Sequence, residues 1–379
     1  MNILVIDKNA IIPEYQKKWE LLADYDDVNL ILLVPDHWRE NYSDIYLEKN
    51  RSSKLNIISG KVIFPGYENR GFYYTSLVKA IRRSKPDIIH LLEEPYSLFS
   101  LQTIALKKLL AKKARVIFFT SDNLSYNYKF PYRFSFFLKR IEIFTFKNLD
   151  YALCVNEEVK NILRLKEFNK PAKILPHCFD FSLFKKTDPG KLKDELELKG
   201  TVIGFIGRII REKGLNTLLK ACSELTEEFT LLIIGRGNYK SELIKLSKEL
   251  SITERIRFID VVKYEKVPKY LGLMNIFVLP SVTTERWKEQ FGRVIIEAMA
   301  CEVPIIGSSS GAIPEVIGEY GLIFRENDYI DLKNKILILM KNREYRNRLI
   351  ELGINYVKNF SVEKFAKKVY AIYRELLND

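Results

Sequence analysis

Short continuous apolar runs alternate along this chain with stretches whose apolar residues recur at helical spacing. In the first half the runs are "NILVID" (2–7), "VNLILLVP" (28–35), "KVIFP" (61–65), "DIIHLL" (87–92), "RVIFFT" (115–120), "YALCVN" (151–156) and "AKILPH" (172–177). Helical spacing fills most of the intervals, as over Tyr74–Ser84 and Leu98–Lys113. Continuous Val/Ile/Leu runs flanked by helices predict a parallel sheet covered on both faces. The pattern then restarts with "TVIGFIG" (201–207), "FTLLIIG" (229–235), "RIRFID" (255–260), "NIFVLPS" (275–281), "VPIIGS" (303–308) and "GLIF" (321–324). Between the sets lies the polar "CFDFSLFKKTDPGKLKDELELKG", whose Asp-Pro-Gly reads as a linker. The expectation is two doubly wound α/β domains, 1–178 and 201–360, joined by 179–200, with a ligand cleft between them. A last helix is expected from Ser361, with Glu363 close behind it as in a capped start.

Composition changes this picture little. The 379 residues are 47% hydrophobic, 29% charged and 12% aromatic, enough for two cores, since single cores stop growing at roughly 250–300 residues. "MNILVIDKNAII" has no basic lead and no cleavage site, so a strand is expected there rather than a signal peptide. No apolar stretch reaches the ~18–20 residues of a membrane span. A cytoplasmic protein is expected, with peripheral attachment to a membrane left open. Cys154, Cys178, Cys222 and Cys301 are scattered, and His37, His90 and His177 stand alone, which argues against a zinc site or a disulfide framework. The net charge of +13 favours anionic partners. The basic residues are spread over nearly every helix, however, so charge alone selects none.

Two stretches carry chemistry. "VIGFIGRIIREKG" puts Arg208 and Lys213 in the loop after a strand, where open α/β sheets bind ligands. A guanidinium fork and a mobile ammonium together suit a diphosphate; a merely basic surface loop is the competing reading. Gly204 and Gly207 do not complete a dinucleotide fingerprint, because no third glycine opens the helix. The second stretch, "WKEQFGRVIIEAMACEVPIIGSSSGAIPEV", follows another strand. It sets Glu289 before, and Glu297 inside, a helix opened by Phe291 and Gly292. The first free amides, near Gly292, Arg293 and Val294, suit anionic oxygen. A carboxylate accepts from hydroxyls, so Glu289 is assigned to sugar hydroxyls and Glu297 to a ribose. Taken singly, Glu289 reads as a first-turn acid and Glu297 as an exposed helix position. "SSSGAIPEV" repeats the strand–turn–helix arrangement and strengthens a convergent site.

These stretches resemble the retaining glycosyltransferases of the large family 4 group, built of two Rossmann-like domains facing each other across a cleft, the GT-B architecture. The two glutamates separated by seven intervening residues, with Phe-Gly between them and Glu-Ala-Met-Ala closing the stretch, match that family's signature. "GRIIREKG", "ILPHCFDFSLF", "NDYIDLKNKILILM" and "FSVEKFAKKVYAIY" match its other segments, over roughly 170–379. The resemblance implies that Arg208 and Lys213 bind a nucleotide-sugar diphosphate. It implies that Glu289, beside Phe291 and Gly292, orients the sugar, and that Glu297 holds the ribose. It also implies that the helix at about 361–379 packs back on the first domain. The chain departs from the pattern in three places. "DKNAIIPEY" lacks the glycine pair often found after the first strand. "FFTSDNLSYNYKFP" lacks a histidine, leaving Asp122 or Asn123 as sugar contacts. Gln290 replaces the usual glycine.

Two cations and a helix end can stabilise a leaving diphosphate without a metal. No Asp-x-Asp motif stands at a strand end, and "DYD" at Asp24–Asp26 lies in a polar stretch. No metal ion or cofactor is therefore expected; the nucleotide-sugar is a substrate. The acceptor is expected to be a glycan, a lipid-linked molecule or another hydroxyl compound. In "YNYKFPYRFSFFLKRIEIFTFK" (126–147), Phe134, Phe137, Leu138, Ile141 and Phe144 recur at helical spacing. They read first as a core face, and second as a rim on anionic membrane. Three rival readings are a basic nucleic-acid-binding protein, a GT-B-like nucleotide-sugar epimerase and a phosphorylase. No zinc-finger or RRM signature supports the first, and no pyridoxal lysine motif the last.

Overall fold

The computed structural model describes residues 1–39, 44–48, 55–124 and 135–378. The chain divides into two compact units, Met1–Cys178 with Val362–Asp379, and Phe179–Ser361.

The first unit contains β1 (Asn2–Ile6), β2 (Asn29–Pro35), β3 (His37–Arg39), β4 (Asp44–Tyr46), β5 (Asn56–Gly60), β6 (Val62–Ile63), β7 (Phe72–Tyr73), β8 (Ile88–Leu91), β9 (Arg115–Thr120), β10 (Tyr151–Cys154) and β11 (Ala172–Ile174). Its main sheet has the order β11-β10-β9-β8-β1-β2-β5, with every pair parallel. The chain runs outward from β1 on one side and resumes at β8 on the other, so the β1/β8 boundary is a topological switch point. One expected strand is corrected. "KVIFP" is not in this sheet; Val62–Ile63 pairs antiparallel with Phe72–Tyr73, and the sheet strand is the preceding Asn56–Gly60. That strand lies at the sheet edge, so it carries polar Asn56 and Ser59 instead of a continuous apolar run.

The terminal helix, Val362–Asn378, supplies Phe365, Ala366, Val369, Ile372, Tyr373 and Leu376 to the core around Trp19, Leu22, β1 and β2. Tyr373 Oη lies 2.7 Å from His90 Nδ1, and Trp19 meets the His90 ring edge-on. Burial, with Lys18 adding to it, pushes the His90 imidazole down to about 3, so this ring is a neutral part of the core. Trp19 Nε1 donates to the buried Asp7 carboxylate at 2.9 Å, and Lys18 Nζ is ion-paired with it at 3.1 Å.

Lys166 bridges Asp122 at 3.2 Å and Glu142 at 3.3 Å inside the same unit. Burial, opposed by Lys166, raises Glu142 from the ordinary 4.5 to about 7. The folded state therefore holds a proton that the unfolded state releases between those values. This contribution is fully present below about 4.5 and lost as pH rises through about 7, on the order of 3 kcal/mol. Glu142→Gln removes it. The stability of wild type relative to the variant, from urea melts between pH 5 and 8, is expected to fall as pH rises. A constant difference would contradict the assignment.

The helix Ser135–Asn148 corrects the expected core face. Ile141 and Phe146 are buried, but Phe136 and Phe137 are 65% and 61% exposed, and Phe134 lies outside the described residues. The apolar face is therefore open at the helix start, at Phe137, and covered from Ile141 onward.

The second unit contains β12 (Thr201–Ile206), β13 (Phe229–Ile234), β14 (Ile256–Ile259), β15 (Ile276–Leu279), β16 (Ile305–Ser308) and β17 (Leu322–Phe324). The order β14-β13-β12-β15-β16-β17 is all parallel and reads 3-2-1-4-5-6 in chain order, with its switch point between β12 and β15. Every strand expected here is present. The segment 179–200 is not a free tether: it belongs to this unit, with Phe179 bridged to Ser361 and Phe184 fully buried against Tyr264. Its aromatic residues bind it down despite its polar composition. Among the described residues no helix is long and apolar enough to cross a membrane.

Candidate functional site

The loop after β12 and the loop after β15 meet at the second unit's switch point. Gly214 has φ +64, and a Cβ there would lie 1.9 Å from the Pro280 carbonyl oxygen, so only glycine admits this approach. Val282 N donates to Glu212 O at 2.8 Å across the same junction. Lys213, in the short turn Arg211–Lys213, is thereby carried to the loop that bears Glu289.

The contact is direct: Lys213 Nζ lies 2.6 Å from Glu289 Oε2, and Ser281 Oγ donates to the same oxygen at 2.7 Å. Lys213 also stands 5.1 Å from the centre of the Trp287 ring. Glu289 is 8% exposed and held by its backbone as well, since Ala312 N donates to Glu289 O at 3.0 Å. Gly311, at φ +51, lets that turn close; a Cβ would lie 2.2 Å from Glu289 O. The "SSSGAIPEV" turn thus supports the glutamate loop.

Gly292 adopts a left-handed conformation and opens the helix Arg293–Ala300, whose first turn has no side-chain cap and no acidic residue. Such an end presents amide dipoles that favour anionic oxygen. Phe291 is buried and packs edge-on to Phe360. Glu297 is not an exposed helix position: it is 4% exposed, and its Oε1 accepts from Tyr264 Oη at 2.7 Å and from Arg293 Nε at 2.8 Å. The Arg293 guanidinium lies over the Tyr264 ring at 5.0 Å. Two donors on one oxygen orient the carboxylate and leave Oε2 without a donor among the described residues.

Lys213, Glu289, Gly292, Arg293 and Glu297 therefore share one end of the second sheet, with Phe291 and Val294 on the segment between them. Arg208 lies in the same β12 loop, exposed and without an ion pair among the described residues. Asp122 and Asn123 belong to the first unit and are buried there. Asp122 is engaged by Lys166 and by the Leu124 amide, and Asn123 Nδ2 reaches Glu158 at 3.5 Å. Sequence reading missed Ser281, Trp287 and Tyr264. Ser281 ends a recognised strand and Trp287 opens the quoted signature, whereas Tyr264 carries no local signal. Among the described residues no group of three or more His, Cys, Asp or Glu is placed to hold a metal ion.

Residues 190–356 match the family model described as Glycosyl transferases group 1. The chain is 32% identical over 174 residues to an uncharacterized glycosyltransferase of Methanocaldococcus jannaschii, covering 45% of this chain and 47% of that one. It is 28% identical over 218 residues to the N-acetyl-alpha-D-glucosaminyl L-malate synthase of Bacillus anthracis, covering 56% and 55%. In these alignments the chain spans about half the length of the curated relatives it matches. The fold is shared over the whole chain with the Anabaena protein HepE solved in complex with UDP, at TM-score 0.75 and 16% identity, covering 99% and 100%. The match to glycosyl transferases group 1 thus falls within the second unit, and the two parallel Rossmann-like sheets have the GT-B fold shared with solved glycosyltransferases.

Proposed function

We propose that the protein is a retaining, metal-independent glycosyltransferase that moves a sugar from a nucleotide-sugar to a hydroxyl acceptor. The observation that carries this reading is the Lys213–Glu289 contact of 2.6 Å at a Rossmann switch point. A sugar 1-diphosphate presents a ring hydroxyl and a phosphate oxygen side by side. An ammonium touching a carboxylate complements that juxtaposition: Lys213 takes phosphate oxygen and Glu289 takes hydroxyls. Arg208, exposed and without an ion pair among the described residues, supplies the second cation from the same loop. The uncapped helix end at Gly292, Arg293 and Val294 adds its dipole, and Phe291 seats the turn. Glu297, oriented through Oε1, offers Oε2 to a ribose. Fixed charges that meet the growing charge of the leaving diphosphate are the main catalytic device. Retention at the anomeric carbon rests on the resemblance of the two-glutamate segment.

Support for the donor class comes from HepE, which has been solved in complex with UDP and with UDP-glucose. A glycan or lipid-linked acceptor is proposed, with the protein at the cytoplasmic face of an anionic membrane. Phe136, Phe137 and Ile143 are exposed beside Lys139 and Arg140, a mixture suited to an acidic lipid surface.

The test is thermal shift of the full chain against UDP-, GDP- and ADP-sugars and an oligonucleotide. A ligand at about 100 times its Kd stabilises the folded state by about 2.7 kcal/mol. One sugar nucleotide is expected to raise Tm. A shift with the oligonucleotide alone would replace this reading with the nucleic-acid one.

A further inference from the structure

Tyr264 is held on three sides. Its hydroxyl donates to Glu297 Oε1 at 2.7 Å, the Arg293 guanidinium lies 5.0 Å from its ring centre, and the Phe184 ring meets it at 5.2 Å. Phe184 comes from the segment 179–200, whose composition reads as a linker, yet it is fully buried. The residues after it grip the helix that follows Tyr264, Val267–Leu271. Thr187 Oγ1 donates to Pro268 O at 3.0 Å, and Gly272 admits the Thr187 carbonyl so closely that a Cβ there would lie 2.7 Å from its oxygen. Behind Phe184 stands Phe179, edge-on at 5.9 Å, whose amide donates to Phe360 O at 3.0 Å. Phe360 in turn packs on Phe291. The contacts form a closed circuit within the second unit, joined to the segment Phe291–Glu297 at both of its ends.

The last torsion of a glutamate is broad, so an unanchored carboxylate swings. Glu297 accepts both Tyr264 Oη and Arg293 Nε on one oxygen, which pins the carboxylate plane and leaves Oε2 without a donor among the described residues. A carboxylate only 4% exposed needs charge-assisted bonds of this kind. Arg293 already supplies the counter-charge, so the tyrosine is not required for neutrality. Its hydroxyl adds direction instead, and that direction is only as firm as the ring that bears it. The ring is fixed by Phe184 on one side and by the Arg293 guanidinium on another.

We propose that Tyr264, braced by Phe184, is a positioning residue that holds Glu297 Oε2 toward a ribose hydroxyl, so that the site selects a ribonucleoside diphosphate over its deoxy counterparts. The inference deepens the nucleotide-sugar reading and rests on it. A carboxylate oxygen fixed in place and short of a donor gains one from a ribose hydroxyl. Facing a deoxy sugar it stays unpaired, and a site built to bond a hydroxyl rejects the analogue that lacks it. A carboxylate free to swing would turn to water and lose that discrimination. The stretch from Phe179 to Thr187 then serves the donor site as a strap, acting through Tyr264 and touching no ligand itself.

The test is titration calorimetry of the full chain with UDP, GDP and ADP, and with the 2′-deoxy and 3′-deoxy forms of each. The wild type is expected to bind one ribonucleotide about tenfold more tightly than one of its deoxy forms. Tyr264→Phe keeps the ring against Phe184 and Arg293 and removes only the hydroxyl. It is expected to weaken the ribonucleotide and leave the deoxy form unchanged, which closes most of the gap. Phe184→Leu keeps apolar bulk behind the tyrosine and is expected to narrow the gap as well; a gap it leaves untouched would overturn the brace. A gap that survives Tyr264→Phe, or equal weakening of both forms by it, would overturn the positioning role while the donor reading stands; equal weakening would mean that the tyrosine only supports the fold. A wild type that binds both forms alike would remove the ribose contact on which the role depends. A wild type that binds no nucleotide would remove the donor reading and this inference with it.

Discussion

Lys213→Ala is expected to lower kcat/KM for sugar transfer by about 10²–10³, the cost of removing one preorganised group that meets transition-state charge. The figure is large because Lys213 acts twice. It supplies a cation to the leaving diphosphate, and at 2.6 Å it fixes the carboxylate that holds the sugar. With the ammonium gone, Ser281 Oγ still donates to Glu289 Oε2, but a carboxylate only 8% exposed loses the cation in contact with it. Glu289→Ala is expected to reach a similar loss by releasing the sugar instead. The double variant should then cost little more than either single one, since groups acting as a unit are not additive. Steady-state kinetics with the donor chosen by thermal shift, and circular-dichroism melts of each variant, provide the check. Near-wild-type turnover in either folded variant would dissolve the site.

The pairings behind this prediction were hidden in the sequence, although the residues were not. Lys213 and Glu289 were each recognised, the one in a strand-end loop and the other in a signature. Their contact joins positions 76 residues apart and depends on strand order placing β12 beside β15. The strands themselves were legible because a parallel sheet covered on both faces demands largely apolar runs, which the inner strands β13, β12, β15 and β16 of the second unit have. β5 escaped because an edge strand is released from that demand. The exposed turn at Phe136 and Phe137 escaped because periodicity tells which residues share a face and not whether anything covers it. Tyr264 on Glu297, Tyr373 on His90 and Lys8 on Glu93 escaped for a common reason. Each joins segments far apart in the chain, and no short motif marks either partner.

Ending the chain at Ser361 is expected to unfold the first unit and leave the second. The Val362–Asn378 helix places Phe365, Ala366, Val369, Ile372, Tyr373 and Leu376 in the first unit's core. Burying large apolar side chains contributes about 1.5–3 kcal/mol each, so the set is worth on the order of 10 kcal/mol, against a net stability of about 5–15 for a domain. Removal would also expose Trp19 and strip His90 Nδ1 of its partner. Polar ties add less: Tyr370 and Arg374 reach Asp27 at 3.0 Å each, on the exposed side. The consequence reaches folding order. The first unit is completed by residues that follow the whole second unit, so its core cannot close before residues 362–378 have been made. Hydrogen exchange on the 1–361 chain should show lost protection in β1 and β2 and retained protection in β12 and β13. A truncated chain that keeps a cooperative melt for the first unit would show that its core closes without the helix. Tyr373→Phe should cost about 1–3 kcal/mol by leaving a buried His90 nitrogen unpaired, which separates the hydrogen bond from the packing.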